Sequence, residues 1–216
     1  FLKLISHEIR TPLNGIVGSA YFLSDTIDDP ELADFLEMLK ESVDRLDNFS
    51  KTALEITEMQ TMGRDMEKPR FHLSSVIKEA TGSYLDKLED KGLKTVAQLD
   101  YHGDIEGIED YTFRAIQEVF NNAIKYSRNN TDIIIKTFVE KDKVKLSIID
   151  NGEVIPAEKI EEITKPFGLA KDHYDKDIGL GLAYVKTFLD IHKASLEIES
   201  NTEATAITLV FNTLKN

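Results

Sequence analysis

Apolar residues recur along the first quarter of the chain at alternating spacings of three and four. Leu2, Ile5, Ile9, Ile16, Ala20 and Leu23 mark one seam, the pattern of an amphipathic helix that packs against another. The stretch "SDTIDDPE" that follows has the Asp and Pro of a turn and a new helix start. A second seam then runs through Leu32, Leu36, Leu39, Val43 and Leu46, and past Phe49 and Ile56 to about "TMGRD". Two seamed helices joined by a short acidic turn predict an antiparallel hairpin. A hairpin alone cannot bury both seams, so pairing with a second copy into a four-helix bundle is expected.

The texture changes after "GRDMEKPRF", which reads as a linker with Gly, Pro and mixed charge but no period. Residues from about Leu73 to Lys91 and from about Tyr111 to Ser127 follow a helical pattern, and "IGLGLAYVKTFLDIH" opens another helix. "LKTVAQL", "DIIIKTFVE", "KVKLSIID", "SLEIES" and "TAITLVF" read as strands, the second and third joined by the charged turn "EKDK". The second part is therefore expected to be a mixed α/β unit, with helices on one face of a largely antiparallel sheet.

Composition narrows the classes. The 216 residues include 26 basic and 39 acidic side chains, a formal net charge of -13. That balance repels polyanions, and no basic stripe offsets it, so nucleic-acid binding is not expected. There is no cysteine, which excludes disulfides and thiolate metal sites and fits a reducing compartment. No apolar run approaches the roughly 20 residues that span a bilayer. The chain begins at Phe1 inside a periodic segment, as expected of a piece of a longer protein.

Four stretches carry candidate chemistry. In "SHEIRTPLNGI", His7 falls on the outer flank of the first helix, beside Glu8. A neighbouring carboxylate can fix the imidazole tautomer and raise its nucleophilicity. Pro12 removes an N–H and crowds the carbonyl of Glu8, which predicts a bend. Thr11 shares a flank with Glu8 and could position a water. A plain solvated histidine fits the same residues.

In "QEVFNNAIKYS", Glu118, Asn122 and Lys125 share one helix face, and Phe113, Ile116, Phe120 and Ala123 form the apolar face. The polar face suits magnesium and nucleotide: Asn122 offers a neutral oxygen to Mg²⁺, Lys125 faces phosphate, and Glu118 could orient or deprotonate a nucleophile. An ordinary amphipathic helix fits too. In "IIDNGEVIP", Asp150 ends a strand and could accept from the exocyclic amine of adenine, with Gly152 allowing close approach. A simple Asn-Gly turn is the alternative. In "DIGLGLAYVKTFL", Gly179 and Gly181 precede a helix whose N–H groups favour an anion. The preceding "KPFGLAKDHYDKD" reads as a lid anchored by Phe167.

In this order and spacing the four stretches resemble the catalytic core of a sensor histidine kinase of two-component signalling, over nearly the whole chain. "SHEIRTPLNGI" matches that family's histidine box, in wording common among hybrid kinases; "NNAIKYS", "DNGEVIP", "KPF" and "IGLGLA" match its asparagine, first glycine, phenylalanine and second glycine boxes. The resemblance implies an α+β chain: a hairpin that dimerises into a four-helix bundle (1–62), a linker (63–70) and an ATP-binding α/β sandwich of the histidine kinase and gyrase type (71–216). It implies that His7 accepts phosphate, that Glu8 is its acid/base neighbour and that Thr11 serves in dephosphorylating the partner. Asn122 would bind Mg²⁺, Glu118 holds the position of the helix carboxylate, and Lys125 would contact phosphate. Tyr126 would pack by the adenine, Asp150 would read it, Gly152 would shape its pocket, Gly179 and Gly181 would admit phosphates, and Thr205 would reach the base through water.

The implied partners are a second copy and a response regulator receiver, with no direct membrane contact by this segment. The implied location is cytoplasmic, with a parent protein that could be anchored in the inner membrane. Departures are Val154 and Asp177 where glycines are usual, a short lid, and the absence of glycines before Thr205 in "SNTEATAITLV". The β-branched Val154 would narrow the pocket floor. These departures leave open a second reading, a non-catalytic phosphotransfer or docking module with impaired ATP binding. A gyrase-, chaperone- or mismatch-repair-type ATPase would share Glu118, Asn122 and Asp150 but has no use for the His7 hairpin.

Overall fold

The computed structural model describes residues 2–27, 29, 32–168 and 179–214, the side chains of residues 2–12 excepted. Helix α1 (Leu2–Thr26) and helix α2 (Ala33–Met62) form the expected antiparallel hairpin. The backbone of α1 stays helical through Pro12. Leu13, Ala20 and Val43 are buried between the helices, and Tyr21 donates to Asp44 across them at 2.7 Å. Among the described seam residues, several are not buried within one hairpin. Ile16, Leu23, Leu39 and Leu46 are exposed, together with Phe22 (67 %) and Phe35 (69 %). Two helices have too little mutual surface to cover every apolar position of a two-sided seam.

Strand β1 (Arg70–His72) pairs antiparallel with β3 (Asp104–Glu106) in a short ribbon that buries Phe71 and Ile105 opposite each other. The predicted helix from Leu73 to Lys91 is two: α3 (Leu73–Gly82) and α4 (Leu85–Asp90), broken at Ser83 and Tyr84. Strands β2 (Lys94–Leu99), β4 (Asp132–Glu140), β5 (Lys143–Asp150), β6 (Ser195–Ser200) and β7 (Thr205–Asn212) build a sheet in the order β2-β4-β5-β7-β6, antiparallel except for β2 with β4. The turn between β4 and β5 places Lys141 and Asp142 at positive φ, matching the twist of a two-residue hairpin.

Helix α5 (Glu109–Tyr126) joins β3 to β4, and helix α7 (Gly181–Ile191) precedes β6. Both lie on the sheet with α3. Ile116, Phe120 and Ala123 of α5 meet Ile133, Leu146, Ile148 and Leu209 of the sheet and Tyr184, Phe188 and Leu189 of α7 in one core. Phe113 only borders it. A short helix, α6 (Ala157–Ile163), follows the turn after β5.

The hairpin and the sandwich are not separate bodies in this structure. Ile56 and Met59 of α2 belong to the sandwich core, and α2 packs along α7. The segment after α2 is organised rather than loose: the Lys68 ammonium donates to the carbonyls of Gly63, Arg64 and Met66 at 3.1, 3.4 and 3.3 Å.

Candidate functional site

The apolar side of α5 faces the core, which turns its polar residues away from it. Glu118 and Asn122, one turn apart, are half-buried, and Lys125 and Tyr126 close the helix. Glu118 receives an ion pair from Arg114 at 2.8 Å, one turn earlier. The start of α7 presses against this carboxylate: a Cβ on Gly181 would stand 2.6 Å from Glu118 Oε2. The Lys125 ammonium lies over the Tyr126 ring, 4.9 Å from its centroid.

At the sheet end, Asp150 is 5 % exposed. The Gly152 N–H donates to its Oδ1 at 2.8 Å. Burial still outweighs that bond and the attraction of Lys91, so the carboxyl is pushed up to about 6. Gly152 has no alternative at this point: a Cβ would come 2.7 Å from the Tyr126 carbonyl and 2.6 Å from the Asp150 carboxylate. Its close approach is thus to the end of α5, which brings Tyr126, Gly152 and Asp150 together. Tyr126 itself is exposed.

Opposite Asp150 on β7 stands Thr205, buried, sharing a 2.6 Å hydrogen bond with Ser200. Ser200 Oγ also accepts from the Ile155 N–H at 2.9 Å. The hairpin before Thr205 turns without glycine because Asn201 Oδ1 accepts from the N–H groups of Glu203 and Ala204 at 2.8 and 3.1 Å. The Asn151 amide then ties this hairpin to the Asp150 turn through the Glu203 carbonyl at 3.1 Å. Val154 is 44 % exposed.

Gly179 takes φ +72, and its carbonyl accepts from the Phe167 N–H at 3.0 Å. Phe167 itself sits at φ +64, an uncommon state for an aromatic residue that its surroundings must hold. Its ring packs on Phe49 of α2, centroids 6.2 Å apart. The lid residues 169–178, Asp177 among them, lie outside the described residues, as do the side chains of His7, Glu8 and Thr11 on α1.

Three participants are not singled out in the sequence. Arg114 bridges Glu118 and, at 3.4 Å, Thr52 of α2. Ser200 braces Thr205. Lys91 reaches the end of α5 from a segment more than thirty residues away. Of these only Lys91 has a local mark, a cation followed by Gly92 at a helix end.

A helical hairpin joined to a sandwich with this buried strand-end carboxyl defines a class, the ATP-dependent histidine kinase core. Residues 107–215 match the model of the histidine kinase-, DNA gyrase B- and HSP90-like ATPase family, and residues 1–61 match the His Kinase A phospho-acceptor domain. The chain belongs to the former family and, with both domains, is a histidine kinase catalytic core of the two-component type.

Among its relatives, the autoinducer 2 sensor kinase/phosphatase LuxQ of Vibrio parahaemolyticus is 27% identical over 211 residues, covering 93% of this chain and 24% of that protein. The hybrid signal transduction protein dokA of Dictyostelium discoideum is 28% identical over 211 residues, covering 93% and 13%. The chain thus spans about a quarter or less of the length of these relatives. The fold is similar to that of full-length ShkA in complex with AMPPNP, with a TM-score of 0.82, 19% identity, and coverage of 100% of this chain and 46% of that one. It is also similar to that of histidine kinase ThkA in complex with the response regulator protein TrrA, with a TM-score of 0.70, 22% identity and coverage of 98% and 60%. Among the described residues no helix is long and apolar enough to cross a membrane.

Proposed function

We propose that this chain phosphorylates itself on His7 from ATP held by the sandwich, and passes the phosphoryl group to an aspartate of a response regulator receiver. The observation that carries the reading is the buried Asp150 carboxyl, seated against Gly152 and the end of α5 in a chain that also carries the His7 hairpin. Its acceptor oxygens suit the amine of adenine, and an apolar base can enter where charge is poorly solvated.

The residues fit a nucleotide. Asp150 would receive the base, with Tyr126 beside it and Thr205 behind it, held by Ser200. Gly179 and Gly181 would admit phosphates at the start of α7, an end that favours anions, and Lys125 would meet a phosphate oxygen. Phe167 would anchor the lid over them. Among the described residues no cluster of three or more carboxylates and imidazoles converges on a cation. Asn122 would hold Mg²⁺ through its amide oxygen, a hard ligand of the kind the ion prefers. The metal would neutralise charge on the transferring group.

A neutral imidazole carries the lone pair that attack on phosphorus requires. One ring nitrogen forms a bond to the γ-phosphorus as the bond to the bridging oxygen breaks and ADP leaves. Glu8 would hold the other ring N–H, and Glu118 would assist from the nucleotide side. Thr11 would place a water for removing phosphate from the receiver. We further infer domain limits of 1–62, 63–70 and 71–216, and a homodimer through the exposed apolar faces of α1 and α2, where Phe22, Phe35 and Met38 stand uncovered. The segment would work in the cytoplasm, whether or not its parent is membrane-anchored.

Incubation with γ-³²P-ATP and Mg²⁺ tests the reading. Acid-labile label is expected on the wild type, absent in His7→Ala and transferable to a receiver domain. A folded dimer that takes no label would sink it, and a dimer that also binds no ATP or ADP would favour the docking module instead.

A further inference from the structure

One cation outside the assigned residues clasps the end of α5. Lys91 follows α4, and its half-buried ammonium donates to the carbonyls of Ile124, Lys125 and Ser127 at 2.9, 2.8 and 2.9 Å. The last carbonyls of a helix lack intrahelical partners, and the dipole makes that end negative, so a cation there is well placed. These three carbonyls flank Tyr126. The Tyr126 carbonyl in turn limits the space at Gly152, whose N–H holds Asp150. Lys91, the end of α5, the Gly152 turn and Asp150 thus form an unbroken series of contacts.

The backbone that presents Lys91 is itself fixed. The Lys91 carbonyl accepts from the Asn130 N–H at 2.9 Å, Gly92 takes φ +62, and the Lys94 N–H donates to the Thr131 carbonyl at 3.2 Å. The ammonium is therefore anchored at its root as well as its tip.

We propose that Lys91 is a positioning residue of the nucleotide site, clamping the end of α5 so that Tyr126 and the Gly152 turn keep the spacing that admits a purine beside Asp150. The inference rests on the nucleotide reading above. It has a second consequence, because the charge of Lys91 also draws the Asp150 carboxyl down against the burial that raises it. Among the described residues, Lys91 is the one charge that moves that carboxyl; the Gly152 N–H from its own turn donates to it, and Thr205 of β7 pairs with it across the sheet.

The test compares Lys91→Met, Lys91→Gln and Lys91→Arg in the full chain. ADP affinity is measured calorimetrically from pH 5 to 8, and the Asp150 carboxyl is titrated by ¹³C NMR. Lys91→Met is expected to bind ADP about tenfold more weakly at pH 7, the order of one lost hydrogen bond from a charged group. Both the midpoint of the binding profile and the Asp150 titration should move to higher pH, and Lys91→Arg should restore them. Lys91→Gln, which keeps a donor but not the charge, is read in the same way where Met prevents folding. A variant with a lower melting temperature but unchanged ADP affinity and midpoint marks a purely structural lysine and overturns the proposal. Failure of the wild type to bind ADP refutes the nucleotide reading instead. The Asp150 titration then still decides the case for Lys91, and an unmoved titration overturns it.

Discussion

Asp150→Asn separates what the carboxyl does for binding from what it costs the fold. The substitution keeps the shape and the oxygen that accepts from the Gly152 N–H at 2.8 Å, but removes the charge. Burial raises the carboxyl from 3.8 to about 6. At about 1.4 kcal/mol per pKa unit, ionising it in the ligand-free fold costs about 3 kcal/mol. The folded pKa lies above the unfolded one, so the contribution is fully present below pH 3.8 and lost as pH rises through 6. The asparagine variant has no such loss. Relative to wild type it should be more stable by up to about 3 kcal/mol at pH 8, with the gain shrinking towards zero near pH 4. Chemical denaturation across that range measures the difference directly.

ADP binding should move the other way. With its oxygen kept on Gly152, the amide presents an N–H to the adenine amine, donor against donor. Losing a hydrogen bond to a charged group costs about 1.5–3 kcal/mol, so affinity should fall about 10- to 150-fold. Wild-type binding should itself weaken as pH falls through 6. An asparagine variant that is less stable than wild type at pH 8, or whose stability difference ignores pH, would refute the reasoning.

Three further outcomes are expected. Gly152→Ala must displace the Tyr126 carbonyl or the Asp150 carboxylate; it should lower stability by about 2 kcal/mol, as overpacking does, and weaken ADP binding in the same calorimetric assay. His192 accepts from the Ile108 N–H at 2.9 Å while its Nδ1 bonds the Phe188 carbonyl at 2.7 Å, and burial holds its pKa below the ordinary 6.5. The stability it confers is present above that value and lost as pH falls through its folded pKa, a slope that denaturation curves should show in wild type and not in His192→Gln. Arg114→Met removes the link from Glu118 to Thr52; residues 49–62 should then exchange amide protons faster, and unchanged protection would show that the apolar contacts of Ile56 and Met59 alone hold α2 to the sandwich.

Much of this was legible along the chain because its period is a local property. The 3.6-residue pattern from Glu109 to Tyr126 and the alternation in "KVKLSIID" follow from side-chain direction alone, and the four motifs stand at their spacing whatever the packing. The sequence also carried the surplus of apolar positions on the hairpin, of which Phe22 and Phe35 are left uncovered. Other features depend on groups distant in sequence. The break at Ser83 and Tyr84 follows from fitting α3 and α4 to one core, and the β1–β3 ribbon joins segments 32 to 36 residues apart that are too short to show a period. Val154 reads as narrowing the pocket floor in sequence, and its side chain is 44 % exposed in the fold. The raised Asp150 carboxyl, the Lys91 clamp and the seating of α2 on α7 exist only once the chain is packed. Burial and electrostatic fields are sums over neighbours that contact order along the chain does not specify, and so the tertiary structure alone decided them.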